Sequence, residues 1–151
     1  MKFFKNTTLP SGQALQIRSY DVTDYNQVEA VLLTAGMFDN VLDCEESLRR
    51  IITEQPLSIL VAVVNSKVVG TVYILINGFW VQIYRLAVLN ELQKQGIGNA
   101  LMDAAETIIR NLGIPEVMLF YNNDKPELGQ FYRRRGWQGS GNLFQCLWKK
   151  L

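Results

Sequence analysis

The sequence predicts a mixed α/β domain with a largely antiparallel sheet and one parallel crossover, in the order β-α-α-β-β-β-α-β-α-β. Three observations predict it. Three apolar runs, Ser58 to Val64, Val68 to Ile76 and Trp80 to Val88, are separated only by Asn65-Ser66 and by Asn77-Gly78. Asn-Gly between apolar runs is a strong hairpin signal, so the three form an antiparallel meander. The third run then enters a glycine-containing loop, Gln93-Lys94-Gln95-Gly96-Ile97-Gly98, and a helical pattern starts at once. A further apolar run, Glu116 to Tyr121, follows that helix, and a helical crossover makes it parallel to Trp80–Val88.

The remaining elements follow in order. Residues 1 to 14 read as a loose start with turn chemistry at Pro10-Ser11-Gly12. Leu15 to Tyr20 alternates apolar and polar side chains, a first strand. Asp21 or Thr23 can cap a helix to about Ala35, with Val28, Val31, Leu32 and Ala35 on one face and Gly36 as its stop. A second helix, Cys44 to Gln55, is capped by Asp43, turns Leu48, Ile51 and Ile52 inward, and ends at Pro56. In the helix after the glycine loop, Ile97, Ala100/Leu101, Ala104/Ala105, Ile108 and Leu112 form a buried stripe that runs to Asn111-Leu112-Gly113. Pro126 opens a short helix to Arg135, closed by Gly136, and Leu143 to Lys149 is a last strand. No repeat or linker interrupts residues 1–151, which read as a single domain with its core at about 15–149.

Composition excludes several functions. The net charge is +1 with no long charged block, which argues against a nucleic-acid binder. There is no histidine, and Cys44 and Cys146 match no metal spacing, so neither a metal site nor a histidine-based triad is expected. The longest strongly apolar run, Ile59 to Val64, is too short to cross a membrane, and the N-terminus lacks the apolar core of a signal peptide. A cytoplasmic protein with reduced thiols is expected.

The start of the helix at Gly96 carries the first chemical signal. A helix N-terminus presents N–H groups without carbonyl partners and a partial positive charge. Two glycines let a ligand approach the main chain, which suits a phosphate or pyrophosphate. A tight turn that packs helix on strand is the alternative. The dinucleotide pattern fails because position 101 is Leu, and the Walker pattern fails because Asn99-Ala100 follows Gly98.

Q-x-x-G-x-G after an L-A-V strand resembles the acyl-CoA signature of the GNAT N-acetyltransferases, [RQ]-x-x-G-x-[GA]. A second segment, Phe131-Tyr132-Arg133-Arg134-Arg135-Gly136-Trp137, matches that family's F-Y-x-x-x-G-[FW], on a helix behind the expected strand and loop. Two motifs in the right order on the right elements extend the resemblance from about Leu15 to Lys149.

The resemblance implies a GNAT-like acyl-CoA N-acyltransferase fold, its sheet splayed between the fourth and fifth predicted strands (80–88 and 116–121), with the pantetheine arm of acetyl-CoA in the gap. The co-substrate would lie along Leu86, Ala87 and Val88, with main-chain groups of Leu86 and Val88 hydrogen-bonded to it like an added strand. N–H groups from Gln93, Lys94, Gln95, Gly96, Ile97, Gly98 and Asn99 would hold the pyrophosphate. Asn123 would touch the cofactor at the mouth of the gap.

Tyr132 falls where the family places a general acid; the alternative is a core residue beside Phe131. Tyrosine has a pKa about 1.5 units above a thiol's, so hydrogen bonding to the departing sulfur matters more than completed proton transfer. Some family members carry a base on the strand before the glycine loop, but here Gln82 stands in that region and cannot act as one. Asp39, Asp43, Glu45 and Glu46 surround the loop that walls the acceptor site in this family, where the plainer reading is a helix cap and solvated first-turn acids. Tyr73, Phe79, Trp80 and Tyr84 could line the acceptor pocket or simply pack. Arg133-Arg134-Arg135 could meet the 3′-phosphate of CoA or form a solvated face.

The expected activity is acetyl transfer from acetyl-CoA to a primary amine by direct attack in a ternary complex. The acceptor is a small-molecule or peptide amine, with no nucleic acid, membrane or metal involved, and a homodimer through the last strand or the meander is compatible with this. The alternative is a non-catalytic acyl-CoA-binding sensor or interaction module of the same fold.

Overall fold

The structure, a computed structural model, describes residues 2–78, 80–122, 124–141, 147 and 149. The last predicted strand, 143–149, lies largely outside the described residues, as do Cys146, Phe79 and Asn123. The contacts divide the chain into two units, Met1–Leu119 and Phe120–Leu151.

The first unit holds a six-stranded sheet in sequential order: β1 (Phe4–Thr8), β2 (Ala14–Ser19), β3 (Ile59–Val64), β4 (Lys67–Ile76), β5 (Val81–Val88) and β6 (Val117–Leu119). All neighbours are antiparallel except β5 and β6, which run parallel. The mixed α/β expectation holds. The N-terminal expectation does not: residues 4–8 form an edge strand hairpinned to β2. The strand is mostly exposed and held by backbone pairing, so its side chains carry no alternating pattern to read.

The β3–β4 turn puts Asn65 and Ser66 at φ 49° and 63°, the twist a two-residue hairpin needs. β3 and β4 are buried along almost their whole lengths, so both faces of the sheet are covered. On one face Ile59, Val61, Tyr73 and Ala87 form a core with Val28, Val31 and Leu32 of α1 (Tyr25–Thr34) and Leu48 of α2 (Glu45–Glu54). The alternating residues Leu60, Ala62, Val72 and Ile74 are fully buried. α3 (Ile97–Asn111) packs on β2 to β5.

The helices begin differently from the expectation in two places. Asp21 caps a 3-10 turn, Val22–Asp24, rather than α1 directly. Cys44, not Asp43, is the N-cap residue of α2, and no side chain caps that helix. In α3 the buried stripe is Ile97, Leu101, Ala104, Ala105 and Ile108 with Met102 and Ile109. Leu112, predicted inward, falls on the C-cap and is exposed. β6 is shorter than predicted, leaving Phe120 and Tyr121 outside any strand.

The second unit contains α4 (Pro126–Arg134). Pro126 occupies its first turn, where a missing N–H costs nothing. At its end the N–H of Trp137 bonds the Tyr132 carbonyl and that of Gly136 the Arg133 carbonyl, with Gly136 at φ 87°. This left-handed closure is why a glycine follows the helix.

Candidate acetyl-CoA site and active site

Two features of the first unit converge at the end of β5. The first is incomplete pairing with β6. Val81, Gln82 and Ile83 face Val117, Met118 and Leu119, and there the ladder stops. β5 continues from Tyr84 to Val88 with no β6 partner. The second is a bulge on the opposite edge. Thr71 pairs with Ala87 and Tyr73 with Tyr84, so Arg85 and Leu86 together oppose Val72. Arg85 sits at φ 53°, a left-handed conformation that a side chain rarely adopts. Ala87 is buried toward α1 while Leu86 and Val88 are half-buried.

The glycine loop follows. The Gln93 side chain donates from Nε2 to the Val88 carbonyl (3.1 Å) and to Asn90 Oδ1 (3.0 Å), tying the loop to the end of β5. Gln95 Nε2 donates to the Glu91 carbonyl at 3.3 Å. Lys94 has φ 61° and Gly96 φ 93°, with Gln95 between them outside the left-handed region. Such alternation turns successive N–H groups toward one side, an anion-binding concavity. Gly96 is the N-cap of α3, and no side chain caps the helix. The first-turn amides of Ile97, Gly98 and Asn99 therefore lie at the positive end of a 15-residue helix.

One contact here was invisible to the sequence. A Cβ added at Gly96 would stand 3.5 Å from Pro10 Cδ and 3.9 Å from Leu9 Cδ2. The β1–β2 turn thus backs the glycine loop, and Leu9 is buried there.

The acids expected near the acceptor wall separate into two groups. Glu45 and Glu46 lie in the exposed first turn of α2. Asp39 accepts the N–H groups of Val41 and Leu42 at 2.8 and 2.9 Å, which hold its carboxyl below the ordinary aspartate range. Asp43 is neither a cap nor solvated; its side chain is 1% exposed. Arg85 Nε donates to its Oδ1 at 3.2 Å, Arg85 Nη2 reaches its Oδ2 at 2.9 Å, and the Asp39 N–H donates to the same Oδ2 at 2.9 Å. The Asp43 carboxylate is thus held by an ion pair to Arg85 and a hydrogen bond from the loop backbone, away from solvent.

The Arg85 guanidinium also lies 4.5 Å from the centre of the Tyr84 ring. Tyr73 is core, not pocket lining. Its hydroxyl is buried near the Asp43 carboxylate, and burial followed by that charge pushes its pKa well above the ordinary value. Trp80, predicted to begin β5, precedes it and is half exposed. Gln82 is half-buried on β5.

In the second unit, Tyr132 is buried on α4 among three aromatic rings. Phe131 lies edge-on with centroids 5.1 Å apart, Trp137 edge-on at 6.1 Å, and Tyr121 tilted at 5.9 Å. Burial raises the Tyr132 pKa, with Arg135 opposing, so the phenol is protonated through neutral pH. Arg133 and Arg134 are exposed, and Arg135 is half-buried. Among the described residues no group of three or more Asp, Glu or Cys side chains is placed to hold a metal.

Residues 21–147 match the family model described as an acetyltransferase (GNAT) domain. The chain belongs to the GNAT acetyltransferases. A relative in sequence, an acetyltransferase of Photorhabdus laumondii, is 29% identical over 110 residues, covering 73% of this chain and 77% of its own. In structure, an aminoglycoside acetyltransferase from an uncultured soil metagenomic sample, solved with trehalose, superposes with a TM-score of 0.76 at 22% identity, over 91% of this chain and 97% of that one. The PaiA N-acetyltransferase of Thermoplasma acidophilum, solved with coenzyme A, gives a TM-score of 0.69 at 22% identity over 80% and 87%. The GNAT fold is thus the mixed sheet with one parallel pair described above.

Proposed function

We propose that this GNAT protein transfers an acetyl group from acetyl-CoA to a primary amine by direct attack in a ternary complex. The observation that carries the reading is the conjunction at the end of β5: a strand that outruns its parallel neighbour leads straight into an uncapped helix N-terminus. The first leaves β5 main-chain groups beyond the reach of β6 for an extended amide-bearing arm, with the Val88 carbonyl shared with Gln93, and the second offers a cradle for a diphosphate. Pantetheine joined to a pyrophosphate carries both. That the PaiA relative binds coenzyme A supports the same reading.

In this reading Leu86 and Val88 hold the pantetheine arm with main-chain groups, Ala87 between them anchors the strand in the core, and the amides from Gln93 to Asn99 hold the pyrophosphate. The amine nitrogen attacks the thioester carbonyl carbon, the carbon–sulfur bond breaks, and Tyr132 donates a hydrogen bond to the departing sulfur. Gln82 cannot accept the amine's proton and Asp43 is paired with Arg85, so the proton leaves through an ordered water or a carboxylate from another segment, or the amine itself has a low pKa.

Titration calorimetry with acetyl-CoA and a coenzyme A release assay over a panel of amines test this. The panel runs from aminoglycosides and polyamines to amino acids and peptide N-termini. Binding with turnover on at least one amine is expected. Binding without turnover on any would favour the sensor reading, which the lack of a carboxylate on β5 motivates.

A further inference from the structure

We propose that Asp43 is a positioning residue that couples the loop between α1 and α2 to the acetyl-CoA strand β5. The proposal rests on the acetyl-CoA reading above.

One carboxylate serves two segments. Toward the loop, Asp43 Oδ2 accepts the Asp39 N–H while the Asp43 N–H bonds back to the Asp39 carbonyl at 2.8 Å. Asp39 in turn holds the amides of Val41 and Leu42. The whole turn 39–43 is therefore fastened at Asp43. Toward the sheet, the same carboxylate grips Arg85 through two nitrogens. Arg85 is the bulge residue at φ 53°, and the next residue is Leu86.

An arginine has no intrinsic reason to adopt that backbone conformation. Its guanidinium, drawn inward to a carboxylate that is 1% exposed, supplies one. The bulge in turn sets the direction of the Leu86 and Val88 main-chain groups on the stretch of β5 beyond its β6 pairing. Moving the Asp43–Arg85 pair moves both the loop and that edge. Coupling of this kind is reciprocal: whatever fixes the loop tightens acetyl-CoA, and acetyl-CoA orders the loop.

The molecule contains its own control. Arg18 and Asp24 form another ion pair with a buried carboxylate, at 2.7 Å, in the same unit but at the β2–α1 junction. Asp24→Asn therefore removes a comparable charge without touching the loop or β5.

The test compares wild type, Asp43→Asn, Arg85→Lys and Asp24→Asn by calorimetric titration with acetyl-CoA. Hydrogen exchange at the Val41 and Leu42 amides is followed with and without acetyl-CoA. Asp43→Asn and Arg85→Lys are expected to weaken binding by about 10-fold or more and to abolish the slowing of exchange that acetyl-CoA causes in the wild type. Asp24→Asn is expected to lower Tm with unchanged affinity and an unchanged exchange response. Where Asp43→Asn does not fold, Arg85→Lys decides. Wild-type affinity in a folded Asp43→Asn or Arg85→Lys protein overturns the coupling and leaves the acetyl-CoA reading intact. So does an equal loss of affinity in Asp24→Asn. A wild-type protein that does not bind acetyl-CoA overturns both.

Discussion

Gln93 Nε2 hydrogen-bonds the Val88 carbonyl at 3.1 Å, so the last residue of β5 and the first of the glycine loop are clasped by a side chain. Gln93 is exposed, and its loss should touch the site more than the fold. Gln93→Ala is expected to change stability by about 1 kcal/mol or less. Acetyl-CoA affinity is expected to fall more than that change in stability would suggest, because the loop amides lose their fixed direction. Thermal melts and calorimetry on the same samples separate the two effects.

Gly96 holds φ 93° at the N-cap of α3 with Pro10 packed beside it. Gly96→Ala brings strain of roughly 1–2 kcal/mol from the left-handed backbone. The added methyl meets Pro10 Cδ at ordinary contact distance, so backbone strain is the main effect. Urea unfolding should show that loss, and acetyl-CoA titration a matching drop in affinity.

Tyr20 is buried with no partner for its hydroxyl, and its pKa is pushed far up, first by burial and then by the charge of Asp24. The folded protein keeps this proton when the unfolded chain, with a tyrosine pKa of about 10, releases it. Its contribution is therefore constant below about pH 10 and is lost as the pH rises above that. Tyr20→Phe should leave Tm equal or higher at pH 7, since an unsatisfied buried hydroxyl costs roughly 1–3 kcal/mol. It should also make the alkaline fall of Tm shallower. Melts from pH 7 to 11 check both.

Tyr132 is a poor proton donor to a thiolate because burial raises its pKa further above that of a thiol. A hydrogen-bond role predicts that Tyr132→Phe lowers kcat by roughly 10²-fold with little change in the KM for acetyl-CoA. The wild-type rate should show no alkaline limb from this group below its ordinary pKa. Steady-state kinetics across pH with any accepted amine measure this.

Local chemistry was the legible part of this chain. Asn77-Gly78 announces its hairpin through a glycine that takes φ 86°, and α3 declares its buried face through a repeat that every turn renews. Pro126 and Gly136 mark both ends of α4 through their own backbone limits. What stayed hidden depends on partners distant in sequence. Asp43 reads as a helix cap because it precedes α2, yet its carboxylate answers to Arg85, 42 residues later. The bulge that places Arg85 leaves no mark in V-Q-I-Y-R-L-A-V, since an extra residue in one strand is defined only against the other. β1 escaped for the opposite reason: Phe4–Thr8 is held at the sheet edge by main-chain bonds that any sequence can make.

The most direct test is an acetyl-CoA titration followed by backbone amide resonances of the ¹⁵N-labelled protein. The largest shifts are expected at Lys94 to Asn99, with a second set at Leu86 and Val88. Saturating acetyl-CoA that leaves those amides unmoved, or moves only residues elsewhere, would contradict the assignment of this helix start and strand edge as the acetyl-CoA site.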